Sequence, residues 1–184
     1  TPMVLGFPEP GDLVRHAYRE LWLAVNGTPE QQEALGNHAL LPRPWDPVGC
    51  LDPDLRLQVW EWLEEVVIWL NREYSWDIAN LVQACWPFHP HVVHEVAVVA
   101  DQRRRATLAM TSDALEEWHR YCLPTFVDRM RGRMRAHCDD EHTSWPGRPR
   151  HGEHVGEASR ERREDAFALD VDTLSGRWSL AAQS

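Results

Sequence analysis

The chain contains no lysine; all 19 of its basic side chains are arginine. Ten tryptophans and thirteen prolines accompany that absence. The combination is the codon bias of a GC-rich bacterial genome, so a missing lysine here speaks of source before it speaks of guanidinium geometry. No apolar run approaches the ~20 residues needed to cross a bilayer, so no membrane partner is expected. The opening stretch TPMVLGFPEPGDLV has neither a basic start nor a long apolar segment. It does not read as a signal peptide, and a cytoplasmic location is expected. Cysteine is sparse: Cys50, Cys85, Cys122 and Cys138. In a reducing compartment these are thiols or metal ligands rather than disulfides. A phosphate-binding loop, a dinucleotide-type glycine pattern and a nucleophile elbow are all missing. Nucleotide chemistry and α/β-hydrolase chemistry therefore have no support in the sequence.

A length of 184 residues fits one domain with tails and is enough to bury a core without staples. The net charge of −10 is unevenly spread: residues 1–100 carry −9, residues 101–137 carry +3 and residues 138–172 carry −5. An acidic chain repels phosphate backbones overall, which leaves only the middle stretch as a local basic island.

Apolar spacing predicts an all-α fold: a compact helical domain of about five to six helices with a disordered or loosely docked C-terminal tail. A first helix is expected from Asp12 to Asn26, with Leu13, Ala17, Leu21 and Val25 in register and Val14, Tyr18 and Trp22 beside them. Thr28-Pro29-Glu30-Gln31 reads as a capping box that starts a second, short helix. Together they predict an N-terminal helical hairpin over residues 1–40. Residues 41–52, with Pro42, Pro44, Pro47 and Gly49, predict a proline-rich linker. The main helical domain is expected over 53–138. It opens with a long helix to Glu73 carrying Leu55, Val59, Trp62, Leu63, Val66, Trp69 and Leu70 inward, with Trp60 and Val67 widening the stripe. A short helix over Ser75–Ala84, a helix starting at His89-Pro90 with Val92, Val93, Val96, Val99 and Ala100 inward, and helical segments from Thr111 to His137 complete it. Residues 139–184 are polar and nearly free of aliphatics up to Phe167, so no fixed structure is expected of them in isolation.

The densest chemistry lies in CWPFHPHVVHEVAVVADQRRR, residues 85–105. Cys85-x3-His89 and Cys138-x3-His142 share one spacing, and two thiolates with two imidazoles make a complete tetrahedral shell for zinc. The cofactor is thus either none or zinc on Cys85, His89, Cys138 and His142. The enzyme-like alternative places a hydrolytic metal on His89, His91 and His94, the last two one turn apart if helical. Their order with Glu95 matches no metalloprotease signature. His119 and Cys122 lie three apart, without an orienting acid in sequence. The candidate nucleic-acid set is Arg103, Arg104, Arg105, Arg129, Arg131, Arg133 and Arg135, which would have to share one face. The bland alternative is cations at a helix C-terminus and a solvated face paired with acids.

The Cys-x-x-aromatic-His-Pro run, the apolar helix after it, Trp118-His119 and the closing Cys-x3-His resemble a family of actinobacterial domains of uncharacterised function. Such domains are carried by phages, plasmids and integrative elements. The matching residues are Cys85, Trp86, His89, Pro90, Glu95, Trp118, His119, Cys138 and His142, within about residues 55–145. The chain departs from the family at His91, where an acidic residue is usual. The resemblance implies no reaction. It implies an accessory protein of a mobile element: a non-enzymatic helical module with a protein partner. A zinc-stabilised nucleic-acid-binding domain and a metal-dependent hydrolase stand as the alternatives.

Overall fold

The computed structural model describes residues 2–75, 77–134, 138, 142 and 148–181, the side chains of 148, 149 and 175–181 aside. All regular structure among the described residues is helical, with no strand. The chain divides into two units, Thr1–Asp140 and Glu141–Ser184.

The first unit is organised around α3 (Pro53–Glu73). Asp52 starts it by accepting a hydrogen bond from the Leu55 amide at 2.8 Å, with Pro53 at the first helical position. Its buried set is Leu55, Val59, Trp62, Leu63, Val66, Val67, Trp69 and Leu70. That is the apolar stripe the spacing predicts, with Val67 widening it as expected, whereas Trp60 is only half-buried. Against it packs α4 (Pro90–Leu108), which buries Val92, Val93, Val96, Ala97, Val99 and Ala100. The valines are β-branched, yet Pro90 sets the helical start and every inward position falls on one face.

Helix α1 (Asp12–Asn26) also packs on α3, but through Val14, Ala17 and Tyr18. Leu13, Trp22 and Val25, expected inward or beside the inward face, are exposed. The true contact face is thus rotated by about one residue from the predicted one. Gly11 has no side chain with which to cap, and the Leu13 amide instead donates to Gln58 Oε1 of α3 at 2.9 Å. Val14, Ala17 and Tyr18 themselves keep i, i+3, i+4 spacing and form the contact face, beside the set that spacing alone picks out. The short α2 (Pro29–Ala34) forms behind the predicted capping box of Thr28 and Gln31.

Residues ahead of α1 form an extended strap across α3. The Trp69 indole donates to the Leu5 carbonyl and the Trp62 indole to the Pro8 carbonyl, each at 3.1 Å. Phe7 stands edge-on to both indoles. In the 41–52 segment Leu41, Pro44, Pro47 and Cys50 are buried, and Trp45 lies against Tyr18. The Arg43 guanidinium knits that segment by donating to the carbonyls of His38, Ala39 and Leu41.

The helix expected over Ser75–Ala84 does not form. Among its described residues only Ile78–Asn80 make a turn of 3-10 helix. The Asn71 side chain replaces the helical ladder there. It donates to the Val82 carbonyl and accepts from the Val82 amide, both at 2.8 Å, which holds that segment flat against the end of α3. Asp77 competes locally by accepting from the Ala79 amide.

The closing rod runs from α5 (Asp113–Glu117) through a π-helical turn (Trp118–Cys122) into α6 (Leu123–Met134). Pro124 does not break it. Proline has no amide to return to Arg120, and the wider turn before it, with the Leu123 amide bonded to the Trp118 carbonyl, absorbs the mismatch. Trp118 is buried and donates to the Val99 carbonyl at 3.1 Å. Phe126, Met130 and Met134 line the inner face of α6.

The second unit contains α7 (Arg148–Val155) and α8 (Glu157–Ala181). No residue from 150 to 174 is buried. Residues 148–155 and 157–181 of the polar stretch are thus helical, while its composition still denies it a core of its own.

Candidate metal centre

Two short devices position the ligand set. The first is the turn Trp86–Phe88, which separates Cys85 from His89. Its anchor is Trp86, 2% exposed, stacked near Trp60 and donating its indole hydrogen to Glu64 Oε2 of α3 at 2.8 Å. With Trp86 driven into the core, the residues on either side of the turn emerge together. His89 then serves as the N-cap position of α4, where its carbonyl accepts from the amides of Val92 and Val93. The second device is the end of α6. The Cys138 amide bonds the Met134 carbonyl at 3.0 Å, and Met134 is buried.

The approach of α6 to α4 is fixed by a fork. Glu95 of α4 receives Arg129 Nε at 2.8 Å and Arg133 at 2.6 Å, one on each carboxylate oxygen. Arg129 and Arg133 are four apart and share a helical face, so one carboxylate holds the final turns of α6.

The result is a convergence of side chains far apart in sequence. His89 Nε2 lies 3.4 Å from Cys85 Sγ and 3.4 Å from Cys138 Sγ. With His142, four residues beyond Cys138, the four possible ligand atoms all lie within 4.8 Å of one another. A tetrahedral zinc with bonds of about 2.3 Å to sulfur and 2.05 Å to nitrogen sets S···N edges of ~3.6 Å and an S···S edge of ~3.8 Å. The observed spacing agrees with that shell. Hydrogen bonding alone does not account for it as well. One ring nitrogen carries either one hydrogen or one lone pair, and here it faces two sulfurs at equal distance.

Burial leads the causes that push the Cys85 thiol above its ordinary range, followed by the hydrogen bond and charge of Cys138. Two adjacent thiolates repel, and a divalent cation between them removes that cost. Cys138 is 1% exposed, Cys85 is half-buried and His142 is exposed. The donor set is two sulfurs and two imidazole nitrogens, a closed shell of the structural type, with no position left for water or substrate.

The other proposed ligands stand apart from this group. The His91 ring meets the His89 ring edge-on at 5.8 Å, but His91 is not a member of the four. Burial first, then Arg133, hold its pKa below the ordinary imidazole value. His94 is exposed. No second group of three or more metal-ligating side chains occurs among the described residues. His119 bonds the Tyr74 hydroxyl at 3.0 Å.

The arginines are scattered in role. The Arg103 guanidinium sits 5.4, 5.5 and 5.7 Å from the ring centres of Phe7, Trp69 and Trp118. Arg104 lies 3.4 Å over Tyr18 and pairs with Asp101. Arg129 and Arg133 hold Glu95, Arg105 is exposed and Arg131 is half-buried. Arg135 lies outside the described residues.

Sequence reasoning paired each Cys with its His but had no signal for Glu64 or for the fork at Glu95. The arginine spacing at 129 and 133 was visible, but its acidic partner lies 34 residues away and announces nothing locally. Comparison with protein-family models, with curated proteins and with solved structures finds no match to this chain. No helix among the described residues is long and apolar enough to cross a membrane.

Proposed function

We propose that this chain is a non-enzymatic helical module whose Cys85, His89, Cys138 and His142 hold one structural zinc ion. In this reading the ion ties the turn before α4 to the end of α6. The observation that carries it is the pair of 3.4 Å contacts from two sulfurs to one His89 nitrogen. A closed Cys2His2 shell favours scaffolding over hydrolysis, since a catalytic zinc keeps one position open. The exposure of His94 weighs in the same direction. Nucleic-acid binding is disfavoured because four of the seven candidate arginines are engaged with aromatic rings or with Glu95. The module's role is then to present a surface to a protein partner. The motif resemblance and the absence of lysine suggest the setting: an accessory protein of a mobile element, working in the cytoplasm of a high-GC bacterium.

The test is zinc content, by elemental mass spectrometry on protein purified without a metal-affinity step. Near-stoichiometric zinc is expected, with loss in Cys85→Ala and in Cys138→Ala and retention in His94→Ala. A metal-free wild type, or zinc untouched by Cys85→Ala, would end the reading. Zinc lost in His94→Ala would point instead to the hydrolytic arrangement. Removing the ion from loaded wild type with a chelator should lower the melting temperature, by roughly 2–4 °C for each kcal/mol of site stability.

A further inference from the structure

We propose that the metal centre is also a peroxide-sensitive latch. In it Cys85 and Cys138 join as a disulfide when a peroxide oxidises them, and the zinc ion is released. This rests on the zinc reading above and adds a regulatory property to the same four residues.

The geometry supplies both halves of a disulfide. The two sulfurs share one imidazole neighbour at 3.4 Å and belong to a set of atoms all within 4.8 Å. Closing from at most 4.8 Å to a bond of about 2.05 Å moves each sulfur by no more than about 1.4 Å. The two differ in access. Cys85 sits half-buried on the short turn before α4, whereas Cys138 is 1% exposed. Cys85 is accordingly the sulfur an oxidant reaches, and Cys138 is the one placed to resolve it. The remaining cysteines have no such arrangement. Cys50 is fully buried with its thiol on the Arg43 carbonyl, and Cys122 belongs to no ligand cluster.

The steps balance. The Cys85 thiolate attacks one peroxide oxygen; the S–O bond forms as the O–O bond breaks, and the departing hydroxide takes a proton to become water. The Cys138 thiolate then attacks the Cys85 sulfenic sulfur. The S–S bond forms, the S–O bond breaks, and the second hydroxide leaves as water. Two sulfurs are oxidised, two oxygens are reduced, and the zinc ion departs with both imidazoles freed. The turn before α4 and the end of α6 stay connected in both states, first through zinc and then through the disulfide. What changes is His142, which loses its anchor.

The experiment uses the full chain, with its zinc content measured first, titrated with hydrogen peroxide in the presence of a chromogenic zinc chelator. Peptide mass spectrometry follows thiol state. The expected result is one zinc released per Cys85–Cys138 disulfide, with Cys50 and Cys122 still reduced and the zinc restored by dithiothreitol plus zinc salt. Cys122→Ser should respond like the wild type. Zinc retained under peroxide, or zinc lost with Cys85 oxidised and not linked to Cys138, would overturn the latch while leaving the zinc clamp in place. Protein that carries no zinc before peroxide is added would overturn both.

Discussion

Tyr18 shows how much a single buried side chain ties together in this fold. Its ring carries the Arg104 guanidinium on one side and meets Trp45 and Trp62 on others. Its hydroxyl is buried beside the carboxylate of Asp101 and the Arg104 guanidinium. Burial first, and then the Asp101 charge, raise the Tyr18 pKa far above that of an ordinary phenol. A group whose folded pKa is raised contributes stability that is complete below the unfolded value, about 10, and is lost as pH climbs past it. Wild-type stability should therefore fall above pH ~10. Tyr18→Phe should reduce that fall, the remainder belonging to other groups whose pKa burial raises, such as Cys50 and Cys85. Urea midpoints at pH 7 and pH 10.5 check this, and an alkaline fall of equal size in the variant would count against it. The arginines teach a related lesson. Read along the chain, Arg103-Arg104-Arg105 looks like a helix terminus or a phosphate patch. In the fold, two of the three place their guanidinium groups over aromatic rings, a contact that a planar, weakly hydrated guanidinium makes more readily than an ammonium.

Among the elements, α3 and α4 were the most legible and α1 less so. Long helices with wide apolar stripes announce their inward face by spacing alone, and of the inward residues expected on α3 and α4 all but the half-buried Trp60 are buried. The face of α1 differs by about a residue because two apolar sets of helical spacing lie side by side on it and spacing alone does not rank them. The segment before Cys85 differs because the Asn71 side chain pairs with Val82 in place of a backbone ladder, which periodicity does not register. The closure of α6 on α4 is of the same kind. Glu95 is partly exposed and its two arginines more so, so the fork is worth on the order of 1 kcal/mol. Its greater effect should be on the metal centre. Glu95→Ala is expected to lower the urea midpoint slightly and to speed zinc transfer to a competing chelator several-fold, less than the ~10–100-fold seen when a group bonded directly to a ligating residue is removed. Zinc transfer at the wild-type rate would show that Cys138 is placed without help from the fork.

At the level of the molecule, the first unit is closed by its own beginning. The strap over α3 supplies carbonyls to two buried indoles and sets Phe7 between them, with Arg103 over its ring. Nothing in the proline-broken opening residues signals this, since a strap has neither helical nor strand periodicity. Deleting residues 1–10 should cost roughly 3 kcal/mol: about 1 for each indole hydrogen bond and a similar amount for the Phe7 contacts. The check is the urea midpoint and the tryptophan emission of the folded state, which should shift to the red as Trp62 and Trp69 meet water. An unchanged midpoint would mean that the strap only lies on the surface. The candidate metal centre was half legible at this scale. The two Cys-x3-His pairs and their meeting as one four-residue set were legible from spacing and donor chemistry, but the supports that bring α6 back to the start of α4 were not.

That return has an angular side. A π-helical turn houses one residue more than an α-turn, and one residue is worth about 100° of rotation about the axis. The turn at Trp118–Cys122 thus works as a phase shifter in the rod. Upstream of it Trp118 faces the core; downstream, Phe126, Met130 and Met134 face the core as well, and the chain emerges toward His89. Without the extra residue, everything after Pro124 would be turned about a quarter of a revolution away. The Cys138 sulfur would then be aimed past the imidazole it now meets. Timing within one helix, rather than the ligands themselves, decides whether the two halves of the shell face each other.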